Sequence, residues 1–163
     1  MSSISVSIAK NLSLFSCHYE LAQGLWRVFS FLYSRASEDE RRHAAPPEEM
    51  TPPMISERGL SKECKLCVQA LDLFLECLGG EAAGSALRVL AFGGVYICGG
   101  IPPKLLSKFI SEDGDTSESC FMRQFLNPDS RFLPILKRIP VYLVMDDLVG
   151  LLGAREKARA ALL

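Results

Sequence analysis

Two glycine pairs enclose a short apolar run near the middle of the chain, with Gly93-Gly94 before it and Gly99-Gly100 after it. The enclosed run, Val95 to Cys98, combines β-branched and aromatic residues, which is typical of a buried strand. Ile101 and two prolines follow at once, and proline is tolerated in the first turn of a helix because its missing N–H would be unpaired there. The pattern therefore predicts a strand, a glycine turn and a helix start in direct succession.

A second apolar run, Val141 to Met145, follows after a polar loop over 111–119 and short helices over 121–126 and 131–137. Two strands joined by a helical crossover are expected to pair in parallel. Both runs are apolar throughout, as strands covered on two faces are. We therefore predict an α/β fold with two parallel strands and flanking helices. Because two strands are too few for a stable parallel sheet, we also expect a partner chain or the rest of a domain at one edge.

A long helix is predicted before the first strand. Its apolar stripe runs from Cys67 to Leu78 at 3.6-residue spacing and restarts at Ala82. The Gly79-Gly80 pair interrupts this apolar stripe between the two stretches of one long helix. Ser61 is the predicted N-cap.

A last helix, over 148–163, is predicted after the second strand. Asp146 and Asp147 precede it and are expected to cap it, with an Mg²⁺ site as the alternative. Gly150 and Gly153 lie three residues apart within it, where each costs about 1 kcal/mol relative to alanine. Their common face is therefore expected to lie against backbone or a ligand, with helix–strand packing as the alternative that needs no ligand.

Composition divides the chain into three zones, 1–33, 34–53 and 54–163. The first holds one amphipathic helix, with apolar residues at helical spacing from Leu21 to Leu32. The second is a charged run followed by paired prolines, so we expect a loop or disordered linker that buries little. The first residues are rich in serine but lack the arginines of an organellar transit peptide. We therefore favour a part of the fold or the start of a truncated reading frame.

Charge and cysteine content exclude several classes of protein. The 163 residues carry a formal net charge of −1, which excludes nucleic-acid binding by bulk positive charge. No apolar run approaches the roughly 20 residues of a membrane-spanning helix, so no membrane partner is expected. Six cysteines are too few for a disulfide scaffold and favour reduced thiols in a cytoplasmic protein.

The Gly99-Gly100 pair is the candidate ligand site that these patterns favour most. Ligands in open α/β sheets bind at the carboxyl ends of strands, where the pair lies. Glycines there allow positive φ and a close approach of backbone N–H groups to a ligand, and a helix N-terminus favours anions. The spacing matches neither a Walker A loop nor Gly-x-Gly-x-x-Gly, and a tight turn without a ligand is the alternative.

Two further polar patterns admit a structural explanation. Cys64-x-x-Cys67 is typical of metal or redox sites, but a structural zinc site needs four ligands and the only histidines are His18 and His43. Packing of the two thiols is therefore the favoured interpretation. Glu20 is a candidate polar site on the first helix, with a solvated helix start as the alternative. We predict no catalytic residue and no metal site in this chain.

From Met54 onward the chain resembles the C-terminal part of bacterial-type glucokinases, in the hexokinase–actin ATPase superfamily. The resemblance rests on segments that occur in the same order in that family: Ile55 to Leu60, Cys64 to Leu71, Ala91 to Lys104, Phe121 to Phe125, Ile139 to Val144 and Gly150 to Ala154. It implies a partial ribonuclease H-like (actin-like ATPase) domain whose N-terminal lobe is missing. By the same resemblance, residues 1–33 are a helical remnant of the sugar-binding region.

The resemblance also implies a reaction and its site residues. Members of the family transfer the γ-phosphoryl group of ATP to glucose with Mg²⁺, the first step of glycolysis, and are commonly homodimers. By this resemblance Gly99, Gly100 and Ile101 approach the adenosine, and Gly150 lines the nucleotide cleft. Glu20 is similar to the family's glucose-contacting glutamate, in a stretch that is shorter here and has one glycine replaced.

Three motifs of the family have no match: the phosphate-binding loop Asp-x-Gly-Gly-Thr, the Asn-Asp pair that holds the catalytic base, and the sugar-binding Glu-x-x-His. Phosphoryl transfer depends on positioning, on metal neutralisation and on a base near the acceptor hydroxyl. We therefore expect a C-terminal portion of a glucokinase that carries the adenosine side and is inactive alone. The alternatives are a truncated non-catalytic protein that binds nucleotide or a partner, and a small thiol or zinc protein that uses Cys64 and Cys67.

Overall fold

The computed structural model describes residues 18–110, 114–116, 119–127 and 129–161. Over these residues the chain is mostly helical, and its strands pair in parallel, which confirms the predicted α/β class. None of the described helices is long and apolar enough to cross a membrane. The elements in chain order are α1 (His18–Arg35), α2 (Glu38–Arg42), a 3₁₀ turn (Pro47–Glu49), α3 (Pro52–Leu60), α4 (Lys65–Val89), β1 (Val95–Ile97), α5 (Ile101–Lys104), α6 (Leu106–Phe109), α7 (Cys120–Leu126), α8 (Leu133–Leu136), β2 (Val141–Leu143) and α9 (Val149–Ala161).

The longest helix, α4, lies at the centre of the core and packs against α1, α3 and α7. Its apolar stripe meets the buried side of α1, which confirms the amphipathic helix predicted near the start of the chain. Full burial of a large aliphatic or aromatic side chain contributes about 1.5–3 kcal/mol, so this cluster is the main source of stability. The largest fully buried side chains come from all four helices and include Phe29, Ile55, Leu71, Leu75, Phe121 and Phe125.

The helix α4 continues through the Gly79-Gly80 pair, which confirms the one long helix whose apolar stripe alone is interrupted there. The reason is close packing: α7 crosses α4 at Gly79, where a Cβ atom would run into the carbonyl oxygen of Phe121. A Cβ atom at Gly80 would meet only the side chain of Gln124, at 3.5 Å. The missing side chain therefore brings two backbones together and does not end the helix.

The start of α4 also differs from the prediction. Ser61 ends α3, where its N–H donates to the carbonyl of Glu57 at 2.9 Å, so it is not the N-cap of α4. Lys62 then adopts a φ of +60° in the turn between the two helices. Cys64 takes the N-cap position with an extended backbone and no side-chain cap.

The charged, proline-rich zone is helical and packed, so the predicted loop or disordered linker is wrong. Ser37 and Glu40 form a reciprocal capping box at the start of α2. Trp26 of α1 donates its indole N–H to the carbonyl of Pro47 at 3.0 Å, and Met50 is buried in the core. Local caps and contacts with α1 thus order a segment whose composition alone indicates disorder.

The strands β1 and β2 are aligned with Ile97 opposite Leu143. Each is three residues long, which is shorter than the apolar runs that predicted them. Their side chains are half-buried apart from that of Leu143, so the expectation of strands covered on both faces is wrong for the described residues. Tyr96 and Tyr142 stack on each other with ring centroids 4.8 Å apart.

The helices after the strands are close to their predicted positions. The helix that follows the prolines divides at Leu105 into α5 and α6. The carboxylate of Asp146 accepts the N–H of Leu148 at 2.9 Å just before α9, which confirms the capping interpretation.

Gly79→Ala is expected to destabilise the protein by about 1–3 kcal/mol, because the added methyl group overpacks against the backbone of α7. Gly84→Ala is the matched control in the same helix, since no atom lies within 4 Å of its added Cβ. It is expected to stabilise the fold by about 0.5–1 kcal/mol. Urea unfolding followed by circular dichroism measures both free energies. Equal effects of the two substitutions would contradict the close approach of α4 and α7.

Candidate functional site

The candidate site lies at the carboxyl edge of the two strands. Because β1 and β2 are parallel and in register, the segments after them leave the sheet at the same edge. The N–H of Val144 donates to the carbonyl of Ile97 at 2.9 Å, which extends the pairing beyond β2. Cys98 to Gly100 and Met145 to Asp147 are therefore neighbouring connections, as the ligand site of an open α/β sheet requires.

Gly99 is the residue of this edge whose backbone demands glycine. It is buried and has a φ of +97°, which confirms the predicted positive φ at this turn. Gly100 has an ordinary φ of −75° and takes the N-cap position of α5 without a side-chain cap. The two glycines thus have different roles: the first turns the chain and the second starts the helix.

The prolines after the turn limit which backbone groups can face a ligand. Pro102 and Pro103 lie in the first turn of α5 and carry no N–H. Pro102 is also fully buried, which anchors the turn to the core. The backbone donors at this point are therefore the N–H groups of Gly100 and Ile101.

The helix α9 does not pack on the sheet through its glycines. Cβ atoms added at Gly150 or Gly153 would meet nothing within 4 Å, and every residue after Val149 in α9 is exposed. Packing against backbone or a strand is therefore wrong as an explanation of these glycines. The structure gives no contact between Gly150 and the Gly99-Gly100 turn in the described residues, and a ligand-facing role stays a prediction.

The proposed sugar-side residue lies at the edge of what the structure describes. Glu20 belongs to the first turns of α1, and its side chain lies outside the described residues. A Cβ at the nearby Gly24 would meet the ring of Phe74 at 3.6 Å, so this part of α1 approaches α4 closely. The assignment of Glu20 to glucose stays a prediction.

Cys64 and Cys67 are both buried at the start of α4. Burial, reinforced by a hydrogen bond with the Cys64 thiol, raises the pKa of Cys67 to about 12. Among the described residues, no group of three or more His, Cys, Asp or Glu side chains is placed to hold a metal ion. The burial of Cys64 and Cys67 agrees with the interpretation that both thiols pack in the core.

The residues from Glu40 to His43 have the sequence Glu-x-x-His, so the prediction that this motif has no match in the chain is wrong. Both side chains have local partners. Glu40 accepts a hydrogen bond from Lys65 at 3.1 Å, and this bond lowers the pKa of its carboxyl. The Nδ1 atom of His43 lies 2.8 Å from the carbonyl oxygen of Asp39. Glu40 and His43 therefore stabilise α2 and its contact with α4, and none of the contacts described for them indicates a sugar site.

Three polar contacts that the sequence did not indicate orient the short helices α6 and α7, and two of them reach α4. Lys108 of α6 pairs with Asp72 at 2.8 Å, and Arg123 of α7 pairs with Glu76. The buried hydroxyl of Ser119 donates to the carbonyl of Lys108 at 3.3 Å. The two residues of each contact belong to different segments of the chain, so their spacing in the sequence does not predict the contact.

Comparison with known proteins supports one family. A family model described as Glucokinase matches residues 21–161. The glucokinase of Photorhabdus laumondii is 39% identical over 116 residues, which cover 71% of this chain and 34% of that protein. The glucokinase of Neisseria gonorrhoeae is 41% identical over 113 residues, which cover 69% of this chain and 32% of that protein. The chain therefore spans about a third of the length of these relatives.

A solved structure gives the same fold. The crystal structure of a glucokinase from an Antarctic psychrotroph superposes with a TM-score of 0.57 and 23% sequence identity. The match covers 95% of this chain and 48% of that one. At this identity the likeness shows the fold alone.

Gly99→Ala is expected to destabilise the protein by about 1–3 kcal/mol, because a side chain is strained at a φ of +97°. Gly100→Ala is the matched control, since its φ of −75° suits any residue. We expect it to change stability by less than about 0.5 kcal/mol. Thermal unfolding of both variants measures the difference. Equal stability of the two would show that the turn is not formed in this way.

Proposed function

This chain belongs to the glucokinase family, and we propose that it takes part in the ATP-dependent phosphorylation of glucose to glucose 6-phosphate by carrying the adenosine side of the site. The observation that carries the proposal is the Gly99-Gly100 turn at the carboxyl edge of β1 and β2, inside the segment that the family model matches. Because the chain spans about a third of its curated relatives, the proposal assigns it one part of the site.

The backbone of the glycine turn is the proposed contact surface for the nucleoside. Without a Cβ atom, Gly99 lets a flat base approach the chain closely. The N–H groups of Gly100 and Ile101 are the last backbone donors before the two prolines. We assign Gly150 to the opposite side of the cleft, where the open space around it leaves room for a nucleotide.

The proposal assigns no catalytic residue to this chain. Transfer of the γ-phosphoryl group also needs a base at the sugar hydroxyl and a metal ion on the phosphates. The described residues bring no metal-binding group together, so they do not fit a protein-held Mg²⁺. In the proposal Mg²⁺ arrives on the phosphates of ATP.

Finer features of the family complete the proposal. We infer that β1 and β2 belong to a partial ribonuclease H-like (actin-like ATPase) domain, which the parallel pairing of two apolar strands supports. Glu20 would contact glucose from the helical remnant at 1–33, while 54–163 would form the nucleotide-binding part. A cytoplasmic homodimer is the form expected from the family.

Calorimetric titration with ATP, ADP and adenosine tests the adenosine assignment. We expect all three to bind with similar affinity, because the proposed contacts are to the nucleoside. Gly99→Val should weaken binding by about tenfold or more, which corresponds to at least about 1.4 kcal/mol, while Gly84→Ala should bind like the parent chain. Circular dichroism checks that both variants fold. Absence of binding by the folded parent chain would contradict the assignment.

A complementation assay separates this function from the alternative of a non-catalytic nucleotide-binding or interaction protein. The chain is mixed with the part of the P. laumondii glucokinase that it does not match, and glucose 6-phosphate is measured. We expect no product from the chain alone and product from the mixture, with a loss in Gly99→Val. Nucleotide binding without complementation would favour the alternative. Turnover by the chain alone would contradict the limited role proposed for it.

A further inference from the structure

Two buried thiols stand at the start of α4, and the proposed function does not use them. Cys64 is the N-cap residue and Cys67 is the third residue of the helix. Their exposed fractions are 4% and 0%, and both are free thiols. Cys77 and Cys98, in contrast, are exposed.

The helical position of the pair places the two thiols on one side of the first turn of α4. The side chain of an N-cap residue points toward the third residue of its helix, and Cys64 forms no cap with the backbone. Residues three apart on a helix have Cβ atoms about 5–6 Å apart, whereas a disulfide requires Cβ atoms about 3.5–4.5 Å apart. Closure therefore needs an approach of roughly 1–2 Å in the first turn of α4, together with a side-chain rotation at Cys64.

The pair lies where α3 joins α4. The carbonyl of Arg58 accepts the N–H of Glu63 at 3.2 Å and that of Cys64 at 3.4 Å. A Cβ atom at Gly59 would lie 2.9 Å from the carbonyl oxygen of Cys67, so the two helices touch through their backbones. A reagent reaches the thiols when this turn opens locally.

We propose that Cys64 and Cys67 form a redox-sensitive dithiol, which a small-molecule disulfide oxidises to an intrachain disulfide. The Cys64 thiolate attacks one sulfur of the reagent, which forms a mixed disulfide and releases the first small thiol. The Cys67 thiolate then attacks the Cys64 sulfur and releases the second small thiol. The two protein thiols lose two protons and two electrons, and the two released thiols carry them away.

Closure is expected to be slow and to accelerate with pH. At neutral pH the buried Cys67 is protonated, because its pKa is raised to about 12. Since the thiolate is the attacking species, the second step becomes faster as pH rises. Exposed thiols such as Cys77 are reached first, so the pair responds to sustained oxidation.

Peptide mapping after treatment with oxidised glutathione tests the proposal. Tryptic cleavage after Lys65 places the two cysteines in peptides 63–65 and 66–88, which stay together only through a disulfide. Because the second peptide also holds Cys77, the experiment uses the Cys77→Ser chain, which loses only an exposed thiol. The same chain with Cys67→Ser added is the matched control.

We expect linked peptides in Cys77→Ser, no linked peptides when Cys67→Ser is added, and faster linkage at higher pH. The mixed disulfide at Cys98 serves as the internal measure that oxidation has occurred. The reaction is also run in a low concentration of urea, which opens local structure. The proposal is overturned if Cys64 and Cys67 are still free thiols after Cys98 has reacted completely. A link from Cys64 to any cysteine other than Cys67 would also overturn it.

Discussion

The backbone contact between α4 and α7 at Gly79 sets the position of everything that follows in the chain. With no side chain between the two helices, the aromatic residues of α7 reach the same core as the apolar stripe of α4. The ion pairs Lys108–Asp72 and Arg123–Glu76 add orientation, but partly exposed pairs of this kind contribute little stability. Packing around α4 therefore determines the fold. The chain leaves α4 at Leu90, which adopts a left-handed conformation, and then continues to β1.

In the proposed function, the candidate site forms one wall of a nucleotide cleft. The glycine turn is anchored through the buried Pro102, while the segment after β2 continues into an exposed helix. Apolar side chains at Met145, Leu148 and Leu151 are exposed along that second connection. A buried turn on one side and exposed apolar side chains on the other agree with a role as one part of a larger site.

Local chemistry accounts for the parts of the fold that the sequence could predict. The strand, turn and helix around Gly99 follow from short-range rules for glycine and proline, and the structure contains each of them. The Ser37-x-x-Glu40 spacing also predicts the capping box at α2, although the charged composition of the segment indicates disorder. The effect of Gly79 could not be read locally, because a glycine either ends a helix or admits a neighbour, and the neighbour here is α7. The exposure of Gly150 could not be read locally either, because two glycines three apart in a helix also fit close packing against a neighbour.

The proposed function depends on adenosine binding at the carboxyl edge of β1. Titration of the ¹⁵N-labelled chain with ADP, followed by amide chemical shifts, tests it most directly. We predict the largest shifts at Gly99, Gly100 and Ile101, with smaller ones after β2 and none along the face of α4 that meets α1. Shifts confined to other helices, or no shifts at saturating ADP, would contradict the account.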